Sequence, residues 1–154
     1  DTRRRRLMKT VLKALVLICW MAPLAADEML LSRSGEHDVA TTMDRLESIV
    51  REKGMTVFAR IDHQANAAGA GMEMAPAQVL VFGNPKGGTR IMQDDIRAGL
   101  DLPLRVLVYA DADGKTRILY HDPRALRDVY EIDENPVPDK VAGALDKITE
   151  AAAQ

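Results

Sequence analysis

A glycine-rich loop, residues 82–89, is the segment of this sequence whose residue types are best suited to chemistry. The apolar run of residues 78–82 predicts a buried strand, and helical spacing of apolar residues resumes at Thr89. A strand that leads through glycines into a helix directs backbone N–H groups towards one point, where they can bind an anion. The loop residues that we predict to contact a small ligand or an anion are Phe82, Gly83, Asn84, Gly88 and Thr89, and His63 and Asp122 complete the predicted ligand-binding set.

Two other interpretations of this glycine loop start from the same residues. Gly83 and Gly88 have the separation of the glycines in a phosphate-binding P-loop, but Thr89 stands where that motif requires lysine. The segment is therefore not a P-loop. Alternatively, the glycines only turn the chain and Thr89 caps the following helix, in which case no ligand is implied.

His63 is the second candidate for chemistry, because it follows Asp62 at the end of a predicted strand. An imidazole in such a position can contact a ligand or a metal ion. We predict that His63 is partly exposed in a cleft, with the glycine loop opposite it. The alternative is an ordinary surface or capping residue. His121 is a further candidate of the same kind.

Two other functions use the same histidine. The thioethers of Met72 and Met74, with the His63 imidazole, would suit Cu(I) in an exported metal-handling protein, although methionine is also an ordinary core residue. Asp122 would be the partner of His63 in an acid–base enzyme. No other residues have the spacing of metal ligands, so the predicted sites include no metal. Binding, metal handling and catalysis stay open as functions.

The elements that position these residues are predicted by apolar spacing. Strand patterns cover residues 28–34, 55–61, 78–82, 104–110 and 116–120, and helical patterns follow Asp38, Thr89, Asp122 and Pro138. A hairpin signal at residues 111–114 joins the last two strands. The predicted order is β-α-β-(α)-β-α-β-β-α-α. It indicates an α+β domain with a mostly antiparallel sheet, covered on one face by two long helices.

The first 26 residues have the three parts of a secretory signal. The positively charged residues are Arg3, Arg4, Arg5, Arg6, Lys9 and Lys13. The apolar run of residues 14–22 is shorter than the about 20 residues that a membrane span needs, and small residues follow it. We predict cleavage after Ala26, export to the periplasm or the medium, and one mature domain, residues 27–154. The alternatives are an uncleaved anchor, a twin-arginine signal, and a start at Met8.

The composition of residues 27–154 limits the classes of partner. This segment holds 15 Lys and Arg against 22 Asp and Glu, a net charge of −7, and it lacks the single Cys and the single Trp of the chain. Without cysteine, a disulfide, a thiolate nucleophile and a zinc–thiolate site are excluded. An acidic surface without aromatic clusters argues against nucleic acid and against an anionic membrane as partners.

Five motifs, in order, resemble domain-of-unknown-function family 302. They are Phe58-Ala59-Arg60-Ile61-Asp62-His63, Gln78-Val79-Leu80-Val81-Phe82-Gly83-Asn84-Pro85 with Gly88-Thr89, Gly99-Leu100-Asp101-Leu102-Pro103, the hairpin of residues 111–114, and Tyr120-His121-Asp122-Pro123. The resemblance spans about residues 30–150. It implies a TATA-binding-protein-like fold, β-α-β4-α, that is often exported and often a homodimer, and it implies no reaction. The matching family positions are His63, Phe82, Gly83, Asn84, Pro85, Thr89 and Asp122.

Overall fold

The computed structural model describes residues 29–154 as one α+β domain with five strands and four α-helices. The strands are β1 (Leu30–Ser34), β2 (Thr56–Asp62), β3 (Ala77–Gly83), β4 (Leu104–Ala110) and β5 (Thr116–His121). The helices are α1 (Val39–Glu52), α2 (His63–Gly69), α3 (Pro85–Asp94) and α4 (Val137–Ala153), and short 3-10 helices cover Ile96–Leu100 and Pro123–Asp128. The predicted α+β class is confirmed, and the predicted secretory signal lies outside the described residues.

The five strands of the described domain form one antiparallel sheet in the order β1-β5-β4-β3-β2. The β2–β3 pairing aligns Thr56 with Gly83 at one end and Asp62 with Gln78 at the other. The predicted β4–β5 hairpin is confirmed. We call the end of the sheet that holds Gly83 the loop end, and the end that holds Asp62 the far end. The antiparallel register also puts the start of β4 and the end of β5 at the loop end.

Helices α1 and α4 cover one face of the sheet and bury the main core. The apolar residues of α1 recur every three or four positions, so they form one stripe on the helix. Asp38 caps α1 and accepts a hydrogen bond from the Thr41 N–H at 2.8 Å. The fully buried residues of this core are Met43, Leu46, Val50, Leu80, Phe82, Val106, Val108, Ile118, Ile148 and Ala152. None of the helices within residues 29–154 combines the length and the apolarity that a membrane span requires.

The opposite face of the sheet, which we call the open face, is also apolar in the three central strands. Strand side chains alternate between the two faces, so the residues between the core positions point to this side. The apolar side chains of the open face are only half-buried. They are Val79, Val81, Leu107, Tyr109 and Leu119.

Helix α3 begins at Pro85, four residues before the predicted start at Thr89. The Asn84 side chain caps the helix, and Pro85 takes its first position, where the N–H would have no partner within the helix. The prediction that Thr89 is the cap is therefore wrong, because Asn followed by Pro is the stronger start signal. The helix ends at Asp94 because the next residue has an extended backbone.

A second, smaller core lies at the loop end of the sheet. It joins α3 to the first turn of α4 and to the segment between Pro123–Asp128 and α4. Its buried residues are Ile91, Ala98, Tyr130, Ile132 and Val137. Val141 packs against both cores and so joins them.

Candidate functional site

A cavity of about 270 Å³ opens at the loop end of the sheet, between α3, the start of α4 and the 3-10 helix Pro123–Asp128. Its volume is several times the ~30 Å³ that one water molecule occupies in the liquid. Asn84 and Thr89 supply polar groups, and most of the wall is apolar. The apolar side chains of the wall include Phe58, Ile91, Met92, Leu102, Leu126 and Val141. We call this space the glycine-loop cavity.

Four of the five predicted loop residues, Gly83, Asn84, Gly88 and Thr89, line this cavity. They meet there because β3 ends at Gly83 and α3 starts directly after the cap. That they contact a ligand stays a prediction. Phe82 is different, since its side chain is fully buried in the main core on the helix-covered face of β3. Phe82 is therefore a core residue and not a ligand contact, because strand alternation turns it away from the cavity.

The backbone N–H groups at the start of α3 are largely used by the helix cap. Pro85 has no N–H, and the Lys86 N–H donates to the Asn84 side-chain oxygen at 3.0 Å. The Gly88 N–H donates to the Asn84 carbonyl oxygen, also at 3.0 Å. In this first turn, only the Gly87 N–H has no partner among the described residues. The loop is therefore a capped helix start, without the several converging donors of an anion site.

The two glycines of α3 leave room in the wall of the cavity. A methyl group at Gly88 would lie 4.0 Å from Leu102 Cδ1, and one at Gly87 would lie 3.5 Å from Val137 Cγ1. Both are ordinary van der Waals distances. Neither glycine has a positive φ. Packing and backbone conformation therefore do not require glycine at either position, and the missing side chains enlarge the cavity.

His63 lies at the far end of the sheet, so the structure does not bring it to the glycine loop. The β2–β3 register pairs Thr56 with Gly83, and the six strand steps from Thr56 to Asp62 separate His63 from the loop by about 20 Å. His63 begins α2, and Asp62 caps this helix by accepting a hydrogen bond from the Ala65 N–H at 2.9 Å. The predicted shared cleft is wrong, because antiparallel strands place the end of β2 beside the start of β3.

Asp122 and His63 do not form the acid–base pair considered from the sequence. Asp122 follows β5 at the loop end, whereas His63 follows β2 at the far end, three strands away. Asp122 caps a 3-10 helix and pairs with Arg124, whose Nη2 lies 2.6 Å from Oδ2. Hydrogen bonds from the Arg124 guanidinium lower the pKa of Asp122 below its ordinary value. This carboxyl is therefore ionised at neutral pH and is a poor general acid.

The residues of the copper alternative lie on one surface segment at the far end. His63, Met72 and Met74 are all exposed, and Gln64 Nε2 donates to the Met74 carbonyl oxygen at 3.1 Å. Within the described range, 29–154, no three His, Cys, Asp or Glu side chains are grouped so that they could hold a metal ion. Copper handling thus stays a prediction that depends on one imidazole and thioethers.

A second cleft, of about 200 Å³, adjoins the glycine-loop cavity. Leu104, Pro123 and Leu126 line both spaces. We call the second space the polar cleft, and its polar residues are Asp101, Arg105, His121 and Asp122. The sequence analysis did not predict two of these as site residues, the acidic Asp101 and the basic Arg105. Arg105 could have been found, because it is a charged residue near the start of an otherwise apolar strand.

Two polar contacts hold the wall beside these spaces. The Tyr130 hydroxyl donates to Asp101 Oδ2 at 2.5 Å, and this hydrogen bond raises the pKa of Tyr130. Asp95 is buried and accepts hydrogen bonds from the Arg97 guanidinium and from the Glu131 N–H. Hydrogen bonds from Arg97 are the main reason that the pKa of Asp95 lies far below its ordinary value. Together these contacts fasten the 3-10 helix Ile96–Leu100 to the segment before α4.

The chain matches a protein family and a solved structure over most of its length. A family model described as "Domain of unknown function DUF302" matches residues 31–153. The crystal structure of an uncharacterized conserved DUF302 protein from Bacillus stearothermophilus is similar, with a TM-score of 0.64 and 21% identity. The alignment covers 81% of this chain and 95% of that chain. At this identity the likeness concerns the fold alone.

Curated relatives are similar to about half of the chain. The fluoride-specific ion channel FluC 1 of Brucella suis biovar 1 is 42% identical over 78 residues, which are 51% of this chain and 31% of the channel. FluC 1 of Brucella abortus biovar 1 has the same identity over 78 residues, which are 29% of that channel. The match therefore spans less than a third of each of these relatives.

Proposed function

This chain belongs to the DUF302 family, and from that premise we propose that it is a binding module that holds a small, largely apolar molecule in the glycine-loop cavity. The observation that supports the proposal is a cavity of about 270 Å³ with an apolar wall and few polar groups. Ligand sites in proteins are usually concave and mostly apolar, with a few polar groups that orient the ligand. Asn84 and Thr89 are suited to that orienting role.

An apolar ligand is better supported than a free anion. The Lys86 and Gly88 N–H groups, which would have to face an anion, donate to Asn84. Fluoride is nevertheless a second candidate, because relatives that are similar to half of this chain are fluoride-specific ion channels. The supporting feature within this domain is the Gly87 N–H. Titration of the purified protein with sodium fluoride, followed in the amide NMR spectrum of the protein, tests this second candidate, and an unchanged Gly87 amide signal would refute it.

The proposal is tested by filling the cavity from its wall. Gly88→Val adds a side chain that points to the cavity, whereas Gly143→Val adds the same side chain at an exposed position of α4 with nothing within 4 Å. We expect octanol to bind the wild-type protein and the Gly143→Val control with equal affinity in isothermal titration calorimetry. We expect the Gly88→Val variant to bind at least tenfold more weakly. Equal affinity of all three proteins, or no binding to any, would contradict the proposal.

Export and homodimer formation are two further parts of the proposal. Export is supported by the positive and apolar segments before residue 27, and N-terminal sequencing of exported protein should find Asp27 first. A homodimer is supported by the apolar open face of the sheet, because large exposed apolar surfaces are typical of interfaces. Leu107→Lys, at the centre of that face, should shift the sedimentation coefficient to that of a monomer. A wild-type protein that sediments as a monomer would refute the dimer.

A further inference from the structure

The polar cleft and the glycine-loop cavity are neighbours and share three wall residues, Leu104, Pro123 and Leu126. The polar cleft has acidic and basic side chains, and the glycine-loop cavity is almost entirely apolar. The two spaces adjoin at these three residues, so an elongated molecule that reached past them would place an apolar part in the cavity and a polar part in the cleft. The charges of the cleft then indicate the kind of polar group that fits.

The two carboxylates of the polar cleft already have partners. Asp122 Oδ2 lies 2.6 Å from Arg124 Nη2, and Asp122 Oδ1 accepts from the Arg124 N–H at 2.9 Å. Asp101 Oδ2 accepts from the Tyr130 hydroxyl at 2.5 Å. Carboxylates whose oxygens are used in this way are less available to attract a cationic ligand.

The two basic side chains of the cleft, in contrast, make no hydrogen bond to any of residues 29–154. Arg105 Nη2 forms only a long ion pair with Asp101 Oδ1, at 3.9 Å, and His121 lines the same cleft. The β4–β5 register pairs Leu107 with Leu119, and its continuation places Arg105 opposite His121 on the same face of the sheet. Cβ atoms of such opposite residues lie about 5 Å apart. Arg105 is therefore held only by a long ion pair, and its donor groups and those of His121 line the same cleft.

We propose that the ligand is an aliphatic carboxylate, whose tail lies in the glycine-loop cavity and whose carboxylate binds Arg105 and His121. This inference rests on the proposed function and names its ligand class. The planar guanidinium of arginine matches the two oxygens of a carboxylate, and such charge-assisted hydrogen bonds are about twice as strong as neutral ones. An aliphatic tail suits the apolar wall of the cavity, and the neighbouring polar cleft supplies polar side chains to bind the carboxylate.

The test compares three probes with the same tail, octanoate, octanol and octylamine, by isothermal titration calorimetry on the full chain. We expect octanoate to bind wild-type protein at least tenfold more tightly than octanol, as a hydrogen bond to a charged group implies. In the double variant R105Q/H121Q, the octanoate affinity should fall to that of octanol, while octanol binding is unchanged. The control R45Q/H63Q makes the same substitutions at exposed positions outside both spaces and should behave as wild type.

The outcomes separate this inference from the proposed function. If octanol binds and octanoate binds no more tightly, or if R105Q/H121Q keeps the wild-type preference, the carboxylate inference is wrong and the apolar cavity remains. Tighter binding of octylamine than of octanoate would also overturn the inference. If none of the three probes binds, both the inference and the proposed function are wrong.

Discussion

The side-chain oxygen of Asn84 accepts a hydrogen bond from the Lys86 N–H at 3.0 Å, and this contact sets the start of α3. The carbonyl oxygen of Asn84 accepts the Gly88 N–H at the same distance. Because both donors are directed to Asn84, the start of the helix is satisfied within the protein. What the loop presents to the neighbouring cavity is therefore mainly apolar surface and the space left by glycine.

Removal of this cap should destabilise the protein. We expect Asn84→Ala to lower the free energy of unfolding by about 1 kcal/mol, the usual loss when a capping side chain is truncated. Asn84→Asp keeps an acceptor and should stay close to wild type. The measurement is urea denaturation at neutral pH. Asn66→Ala is the control, since Asn66 is exposed in α2 and its side chain makes no hydrogen bond to the described residues. Equal losses in Asn66→Ala and Asn84→Ala would contradict the capping role.

The stability of the fold should not require glycine at position 88. We expect Gly88→Ala to raise the free energy of unfolding by about 0.5–1 kcal/mol, because alanine favours helix and its methyl group meets Leu102 only at 4.0 Å. Gly143→Ala in α4 should gain a similar amount. Gly114→Ala should lose stability instead, because Gly114 has a φ of 76° in the β4–β5 turn. Thermal and urea denaturation of the three variants measure these changes. A loss at Gly88 similar to that at Gly114 would show that Gly88 is needed for the fold.

The Asp95 carboxylate should stabilise the folded protein at neutral pH and lose this effect in acid. Its pKa in the folded protein lies far below the ordinary value of 3.8, chiefly because of hydrogen bonds from Arg97. When the pKa of a carboxyl is lower in the folded than in the unfolded protein, its ionised form stabilises the fold fully at any pH above the pKa of the unfolded protein. This stabilisation is lost as the pH falls from that value towards the pKa of the folded protein. We therefore expect wild type to be more stable than Asp95→Asn at neutral pH, with the difference shrinking below about pH 4.

Urea denaturation of both proteins between pH 7 and pH 2 measures this effect. Asp113→Asn is the control, because Asp113 is exposed in the β4–β5 turn and its carboxylate makes no hydrogen bond within residues 29–154. The control should follow the wild-type curve. A wild-type advantage over Asp95→Asn that is constant across this pH range would contradict the assignment.

His63 should be neutral for both stability and binding. It is exposed, makes no side-chain hydrogen bond to residues 29–154, and lies about 20 Å from the glycine loop. We expect His63→Ala to change the free energy of unfolding by less than about 0.5 kcal/mol, as for most surface substitutions. Its octanol affinity should equal that of wild type. A tenfold loss of octanol affinity in His63→Ala would return this residue to the binding site.

The sequence determines the elements of this protein, because the apolar period of a strand or helix is a local property. The core stripe of α1, the strand β3 and the β4–β5 hairpin are all confirmed within residues 29–154, although only one face of β3 is fully buried. The glycine loop is also visible in the sequence, since a strand, glycines and a helix are consecutive there. The start of α3 was missed because Asn84 and Pro85 were interpreted as part of a loop, although they are a local start signal.

Which residues meet was decided only by the tertiary structure. His63 and Asn84 both follow strands, yet the antiparallel pairing of β2 with β3 puts them at opposite ends of the sheet. Arg105 and His121 lie opposite each other across the predicted β4–β5 hairpin, but only the packing of Asp101 and of the Pro123–Asp128 helix beside them forms the cleft that they line. The direction and the neighbours of a strand in the sheet depend on contacts between distant segments, and the apolar period of a single segment does not predict them. The sequence therefore determined the pieces of the candidate site, and the packing of the sheet and helices decided which of them share a cavity.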